Sequence, residues 1–147
     1  MQNVTIYIET TVRGPARRAG AGMWLIEYIN RHNEPVTRQG TLYRGICTEN
    51  SLSLELLYIA FSRLTKTCSV RVNTQCEHVL NSCWNHLPAQ WEKNGWHKAN
   101  GTPVKNADLW QKVYTLMKNH EVTFADGENA YRMVMRKQME QELGRRE

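Results

Sequence analysis

The spacing of apolar residues changes partway along the chain, from the alternation typical of strands to the period typical of helices. Residues 4–8, 22–29 and 36–43 are rich in β-branched and aromatic side chains, and turn-forming residues separate them. This pattern predicts three consecutive antiparallel strands. From residue 50 onward the apolar residues recur at helical spacing instead, which predicts a long helix. The order of these elements indicates an α/β protein.

The second half of the chain alternates short strand patterns with helical ones. Residues 68–74 predict a strand that pairs in parallel with the first, because a helix connects the two. Pro88 is expected to break the helical pattern before a polar, tryptophan-containing segment. The remaining predicted elements are helices at 77–84, 107–118 and 129–143 and a short strand at 121–124.

Positive charge is concentrated in two parts of the sequence. The 147 residues carry a formal net charge of +5 and are 41% hydrophobic, as expected for one domain that spans residues 1–147. Five lysines lie in residues 84–118, and Arg13, Arg17 and Arg18 lie in the loop after the first strand. Such patches suit phosphate binding, although they are also common on solvated surfaces.

The sequence also predicts the cellular location of the protein and the state of its cysteines. No stretch approaches the roughly 20 uncharged apolar residues that span a bilayer, so we expect a cytoplasmic protein without a membrane partner. The four cysteines lack the paired Cys-x-x-Cys spacing of metal sites, and free thiols are expected.

Two neighbouring segments carry an unusual combination of tryptophan, glycine, proline and asparagine. Residues 91–96 read Trp-Glu-Lys-Asn-Gly-Trp, and residues 103–111 read Pro-Val-Lys-Asn-Ala-Asp-Leu-Trp-Gln. Together they resemble the basic protrusion, or handle, of bacterial type I ribonuclease H, and the resemblance extends along nearly the whole chain. It implies a ribonuclease H-like fold, in which helices flank a five-stranded mixed sheet of three antiparallel and two parallel strands. The handle would occupy about residues 84–112.

The resemblance also implies a chemistry. The family hydrolyses the RNA strand of RNA–DNA hybrids with two Mg²⁺ ions, about 3.5–4 Å apart, that converging carboxylates hold. Of the family's four acids, only the one at the end of the first strand is matched by an acid here, Glu9. The other three positions correspond to Ser53, Gln75 and Met133. Because these side chains are poor substitutes for carboxylates around Mg²⁺, we expect a catalytically impaired protein, a pseudoenzyme, with no cofactor.

The family residues that bind nucleic acid are better preserved than the acids. Thr48 and Asn50 match the family's phosphate-contacting threonine and minor-groove asparagine. The matching residues of the handle are Trp91, Trp96, Lys98 and Lys105. We expect the tryptophans mainly to pack the handle onto the domain, whereas the lysines either contact phosphate or remain solvated. The resemblance therefore implies binding of RNA–DNA hybrid or another duplex nucleic acid.

A rearranged acidic site is one alternative function. Glu49 and Glu77 match family positions that line the substrate groove, and with Glu9 they could form a relocated site for Mg²⁺ or Mn²⁺ that supports weak hybrid cleavage. The plainer interpretation is that both are ordinary first-turn helix acids, stabilised by the helix dipole.

A protein-interaction module on the same fold is a second alternative. Met133, Met135 and Met139 lie on the last predicted helix, where they could form an exposed apolar patch. A patch of more than a few hundred Å² would favour this function.

Overall fold

The computed structural model describes residues 1–146 and contains one five-stranded sheet with five helices. Glu147, the last residue of the predicted domain, lies outside the described residues. The strands are β1 (Gln2–Thr10), β2 (Arg18–Ile29), β3 (Pro35–Cys47), β4 (Cys68–Asn73) and β5 (Glu121–Ala125). The helices are α1 (Glu49–Ser62), α2 (Glu77–Trp84), α3 (Leu87–Lys93), α4 (Ala107–Met117) and α5 (Arg132–Arg145).

The sheet is mixed, and its spatial order is β3-β2-β1-β4-β5. The β1–β2 and β2–β3 pairs are antiparallel, whereas β4 lies parallel to β1 and β5 lies parallel to β4. This confirms the predicted arrangement of three antiparallel and two parallel strands. Because the carboxyl ends of β1 and β4 point the same way, the residues at these ends meet at one edge of the sheet.

The two faces of the sheet bury different sets of residues. The larger core lies under α1 and α4 and includes the fully buried Leu52, Phe61 and Trp110. α1 lies so close to β2 that a Cβ atom on Gly22 would be 2.5 Å from Leu56 Cδ1. The opposite face is covered by α5, and this contact fixes the position of the C-terminal segment. Within residues 1–146, no helix combines the length and apolar composition that a membrane span requires.

The handle contains a helix that the sequence did not predict. Pro88 was expected to break the helical pattern, but it lies in the first turn of α3, where a missing N–H costs no hydrogen bond. Trp91 is buried and meets Trp110 edge to face at 5.5 Å between ring centroids. Trp96 makes a similar contact with Tyr114 at 6.3 Å. The tryptophans therefore pack the handle onto α4, as expected.

The last helix begins three residues later than predicted, at Arg132 rather than residue 129. The Asn129 side chain accepts a hydrogen bond of 2.8 Å from the backbone N–H of Tyr131. Such a local bond gives the backbone an alternative to the helix, which explains the later start. The Tyr131 hydroxyl then donates to the Glu27 carboxylate, and this bond helps to raise the pKa of Tyr131 to about 12.

The predicted apolar patch on the last helix is wrong for two of its three methionines. Met135 and Met139 are buried against β2, where they contact Met23 and Leu25. Met133 alone of the three is exposed, with 85% of its surface accessible. The helix turns its other methionines inward because residues four apart lie on the same face.

Met135 is buried and Met133 is exposed, so replacing each in turn tests whether the packing of Met135 holds α5 to the sheet. Met135→Ala should lower the free energy of unfolding by about 2–5 kcal/mol, because it removes a fully buried side chain and leaves a cavity. Met133→Ala, on the same helix, should change it by less than about 0.5 kcal/mol. Urea denaturation of both variants measures the difference. Equal losses for the two variants would contradict this packing of α5.

Candidate functional site

Four elements bring polar side chains to the edge of the sheet where β1 and β4 end. Glu9 is the penultimate residue of β1, and Gln75 follows β4. Ser53 lies near the start of α1, and the segment before α5 crosses the same edge. The sequence prediction that these positions converge rested on the resemblance alone, and the strand order gives it a geometric basis.

Glu9 is a buried acid with a positive partner. About 3% of the surface of Glu9 is accessible to solvent. Its Oε2 atom accepts a hydrogen bond of 3.1 Å from Arg132 Nε and one of 3.2 Å from Asn129 Nδ2. Its other oxygen, Oε1, has no hydrogen-bond partner among residues 1–146, and neither does the buried Oδ1 of Asn73. An ionised carboxylate is stable in such a site only when it is paired, and Arg132 provides the pair.

A second arginine spans the other side of the edge. Arg13 Nη2 donates to Gln75 Oε1 at 2.7 Å, and Arg13 Nη1 donates to the Thr10 side chain at 2.7 Å. Arg13 Nε lies 3.9 Å from Glu49 Oε2, whose partner oxygen accepts from the Gly14 N–H at 3.0 Å. Gln75, which stands at the position of the family's third acid, is therefore an amide that already binds the Arg13 guanidinium group.

The two remaining family positions also differ from a metal-ligating arrangement. Ser53 is buried and offers a hydroxyl without charge. Met133 was assigned to the fourth position by counting along the sequence, but the side chains that bond to Glu9 are those of Asn129 and Arg132. The shift follows from the Asn129 turn, which changes where the helix begins.

The relocated acidic site is not assembled. Among residues 1–146, no three His, Cys, Asp or Glu side chains are grouped so that they could hold a metal ion. Glu49 and Glu77 line a common pocket of about 610 Å³ with Gln75 and Arg13, whereas Glu9 is buried beside Arg132. The residues present at either position therefore do not fit the family's pair of Mg²⁺ ions, which needs several converging carboxylates.

Thr48 and Asn50, at the start of α1, both make contacts with nearby side chains. The Thr48 hydroxyl accepts from the Ser51 N–H at 3.1 Å, and the Ser51 hydroxyl accepts in return from the Thr48 N–H. This is a capping box. The Asn50 side-chain oxygen lies 3.3 Å from the Cys76 thiol. The four cysteines are free thiols, as predicted.

A second and larger concave surface lies between α2 and the handle. This groove, of about 800 Å³, includes Trp91 and Lys98 among its lining residues. Four amide side chains also line it, those of Asn81, Asn85, Gln90 and Asn94. We call this surface the handle groove. It combines hydrogen-bonding groups with an exposed cation, which is the chemistry that holds a sugar–phosphate backbone.

His78 lies where the handle groove meets the pocket of Glu49 and Glu77, and it lines both. Its Nε2 atom lies 3.3 Å from the indole nitrogen of Trp110, which donates to it. Burial lowers the pKa of His78 from 6.5, and the nearby charges of Lys98 and Lys105 lower it further. The charges of both lysines therefore reach His78, although the lysine side chains are exposed to solvent.

Sequence reasoning missed the two arginines that organise the sheet edge. Arg13 was recognised only as part of a basic loop, and Arg132 was not singled out. The signal for Arg132 was weak, because its partner Glu9 is 123 residues away in sequence. A buried acid at a strand end does, however, require a cation or a set of donors somewhere in the fold.

Comparisons with known proteins agree with the fold. A family model described as RNase H matches residues 1–126, so the segment that carries Asn129 and Arg132 lies beyond the match. Ribonuclease H from Cupriavidus pinatubonensis is 32% identical over 126 residues, which cover 84% of this chain and 81% of that protein.

Two solved structures share the fold. LC9-RNase H1, described as a type 1 RNase H with the type 2 active-site motif, has a TM-score of 0.76 at 19% identity, covering 97% of this chain and 72% of that one. The foamy viral protease-reverse transcriptase in complex with RNA/DNA hybrid has a TM-score of 0.65 at 12% identity, covering 92% of this chain and 18% of that one. The sheet order, the handle and the match over most of the sequence together identify this chain as a member of the ribonuclease H family.

Proposed function

We propose that this family member binds RNA–DNA hybrid or another duplex nucleic acid, and that it does not cleave the bound strand by the family's two-Mg²⁺ mechanism. The binding surface would run from the handle groove to the start of α1. The observation that carries the proposal is the pairing of Glu9, the one remaining family acid, with Arg132 at 3.1 Å.

The handle groove supports the binding half of this proposal. Amide side chains can donate to phosphate and sugar oxygens, and lysines contribute charge that does not depend on base sequence. Burial lowers the pKa of His78, which favours its neutral ring, and Lys98 and Lys105 supply the formal positive charge there. At the other end, the Thr48 hydroxyl accepts from the Ser51 N–H, and its own proton remains able to donate to a phosphate oxygen.

The sheet edge supports the other half. Two-metal hydrolysis needs enough negative charge to hold two dications close together. At this edge the Arg132 guanidinium already neutralises Glu9, and Arg13 bonds to Gln75. Ser53 adds no charge. The edge is therefore suited to internal ion pairing rather than to coordination of Mg²⁺ in the family's manner.

Weak ribonuclease activity is the second candidate function. Two observations favour it: relatives about 30% identical to this chain are named Ribonuclease H, and Glu49 and Glu77 line one pocket with Gln75. In this case a metal ion would bind within that pocket and not at Glu9.

The purified protein should show no Mg²⁺-dependent cleavage of a labelled RNA–DNA hybrid above the metal-free background, because three of the four family acids are missing. The ribonuclease H of Cupriavidus pinatubonensis serves as the positive control. Denaturing gels of the RNA strand, with Mg²⁺, with Mn²⁺ and with chelator, give the measurement.

Glutamine variants tested in the same assay distinguish the two candidate functions. Turnover that depends on Mg²⁺ and disappears in Glu9→Gln would contradict the proposal. Residual cleavage that persists in Glu9→Gln but disappears in the double variant Glu49→Gln/Glu77→Gln would instead establish the second candidate.

Binding should depend steeply on salt concentration, because each neutralised phosphate releases condensed counterions. With three or so lysine and arginine contacts, the slope of log K against log salt should be about −3, at roughly −0.9 for each contact. Replacing both Lys98 and Lys105 with alanine should flatten the slope by about 2 and weaken binding to all sequences similarly. Fluorescence anisotropy titrations at several salt concentrations in chelator measure both effects.

The matched control is the double variant Lys66→Ala/Lys137→Ala, which removes the same charge from exposed positions away from the handle groove. It should leave the slope close to that of the unaltered protein. No binding of hybrid, duplex or single strand at low salt would overturn the proposed function. Equal effects of the two double variants would mean that the groove is not the binding surface.

A further inference from the structure

The Glu9–Arg132 pair occupies the position at which the family would need a cation. The pair is nearly buried: the Glu9 side chain is 2% exposed and the Arg132 side chain is 28% exposed. Arg132 is held from a second direction, since its Nη2 atom donates to the Gly127 carbonyl at 3.3 Å. A guanidinium group remains protonated at all accessible pH values, so Glu9 faces a permanent positive charge.

A divalent cation and this guanidinium group would compete for the same carboxylate. Two cations in contact with one buried acid repel each other strongly, because solvent screens them little. The side chains of Ser53 and Gln75 add no negative charge, and Gln75 Oε1 is already bonded to Arg13. The disagreement between these residues and the family's metal ions therefore has a specific physical cause, the side chain of Arg132.

The remaining oxygens at the edge show what Arg132 holds closed. Tyr7 is the register partner of Asn73 in the parallel β1–β4 pair. Glu9 lies two residues beyond Tyr7, so Glu9 and Asn73 are diagonal neighbours on one face of the sheet. The unpartnered atoms Glu9 Oε1 and Asn73 Oδ1 are both buried there, and a carboxylate with an amide oxygen is suitable chemistry for a hard cation.

We propose that Arg132 is a resident counter-ion that excludes Mg²⁺ and Mn²⁺ from Glu9, and that removing its charge opens a site for one divalent cation at Glu9 and Asn73. The segment that supplies this counter-ion follows the part of the chain that matches the family model. Exclusion of the cation would thus depend on one side chain on α5 and not only on the missing acids. This inference concerns the same edge as the proposed function, but its test measures metal binding without nucleic acid.

The test is Mn²⁺ titration of the full chain, with bound and free ion separated by electron paramagnetic resonance. The unaltered protein should bind no Mn²⁺ that depends on Glu9, so Glu9→Gln should leave its titration unchanged. Arg132→Gln, which removes the charge but keeps an amide donor, should bind one Mn²⁺ that the unaltered protein does not bind. Its affinity should exceed the upper limit measured for the unaltered protein by about tenfold or more, since a single contacting charge is removed. The double variant Glu9→Gln/Arg132→Gln should lose this site.

The control is Lys137→Gln, which makes the same charge change at an exposed position on α5 and should not create a site. Thermal unfolding in Mn²⁺, compared with NaCl of equal ionic strength, gives a second readout, in which Arg132→Gln alone should be stabilised. Two results would overturn the inference: Mn²⁺ binding by the unaltered protein that Glu9→Gln removes, or a folded Arg132→Gln variant that gains no site. The first result needs no Arg132 variant, so the inference remains testable if Arg132→Gln does not fold. Failure of hybrid binding would leave these outcomes unchanged.

Discussion

The buried carboxylate of Glu9 is the constraint on which much of the molecule depends. A charged group at 3% exposure must be paired, because its transfer from water otherwise costs several kcal/mol. The pair comes from Arg132, on the far end of the chain, and Asn129 adds a second donor. The C-terminal segment must therefore cross the edge of the sheet before α5 begins. Met135 and Met139 then seal the second face of the sheet, so one ion pair joins β1 to the last helix.

Binding and hydrolysis depend on different parts of this fold. The handle groove is built by α2, α3 and the segment that follows them, and the tryptophans of the handle pack against α4. None of these contacts involves the carboxylate of Glu9. A family member can therefore lose metal-binding acids at the sheet edge without disturbing the groove. Arg13 and Arg132 bring positive charge to the edge, and under the proposed function this charge stands where the family would bind cations.

Much of the fold follows from local patterns in the sequence. The three alternating segments and the helical spacing after residue 50 predicted β1 to β3 and α1, and the crossover predicted that β4 is parallel to β1. The errors arose where a single residue could act in two ways. Pro88 was interpreted as a helix breaker, yet it lies in the first turn of α3. Asn129 was counted within the last helix, yet its side chain makes a turn that delays the helix.

The sequence placed several residues of the candidate site near one edge of the sheet, but it did not predict their contacts. Resemblance to the family located Glu9, Ser53 and Gln75 along the chain. The partners of Glu9 and Gln75 could not be read from the sequence, because Arg132 and Arg13 come from a different helix and a loop. Long-range ion pairs leave no periodic signal, whereas strands and helices do. A buried acid requires a partner of this kind, but the burial of Glu9 is seen only in the folded structure.

The most direct measurement is anomalous X-ray diffraction from crystals of the protein–hybrid complex grown in Mn²⁺. The account predicts an intact RNA strand along the handle groove, with Arg132 still bonded to Glu9 and no anomalous peak at that carboxylate. A Mn²⁺ peak coordinated by Glu9 beside a phosphate of the RNA strand, with Arg132 displaced, would contradict it.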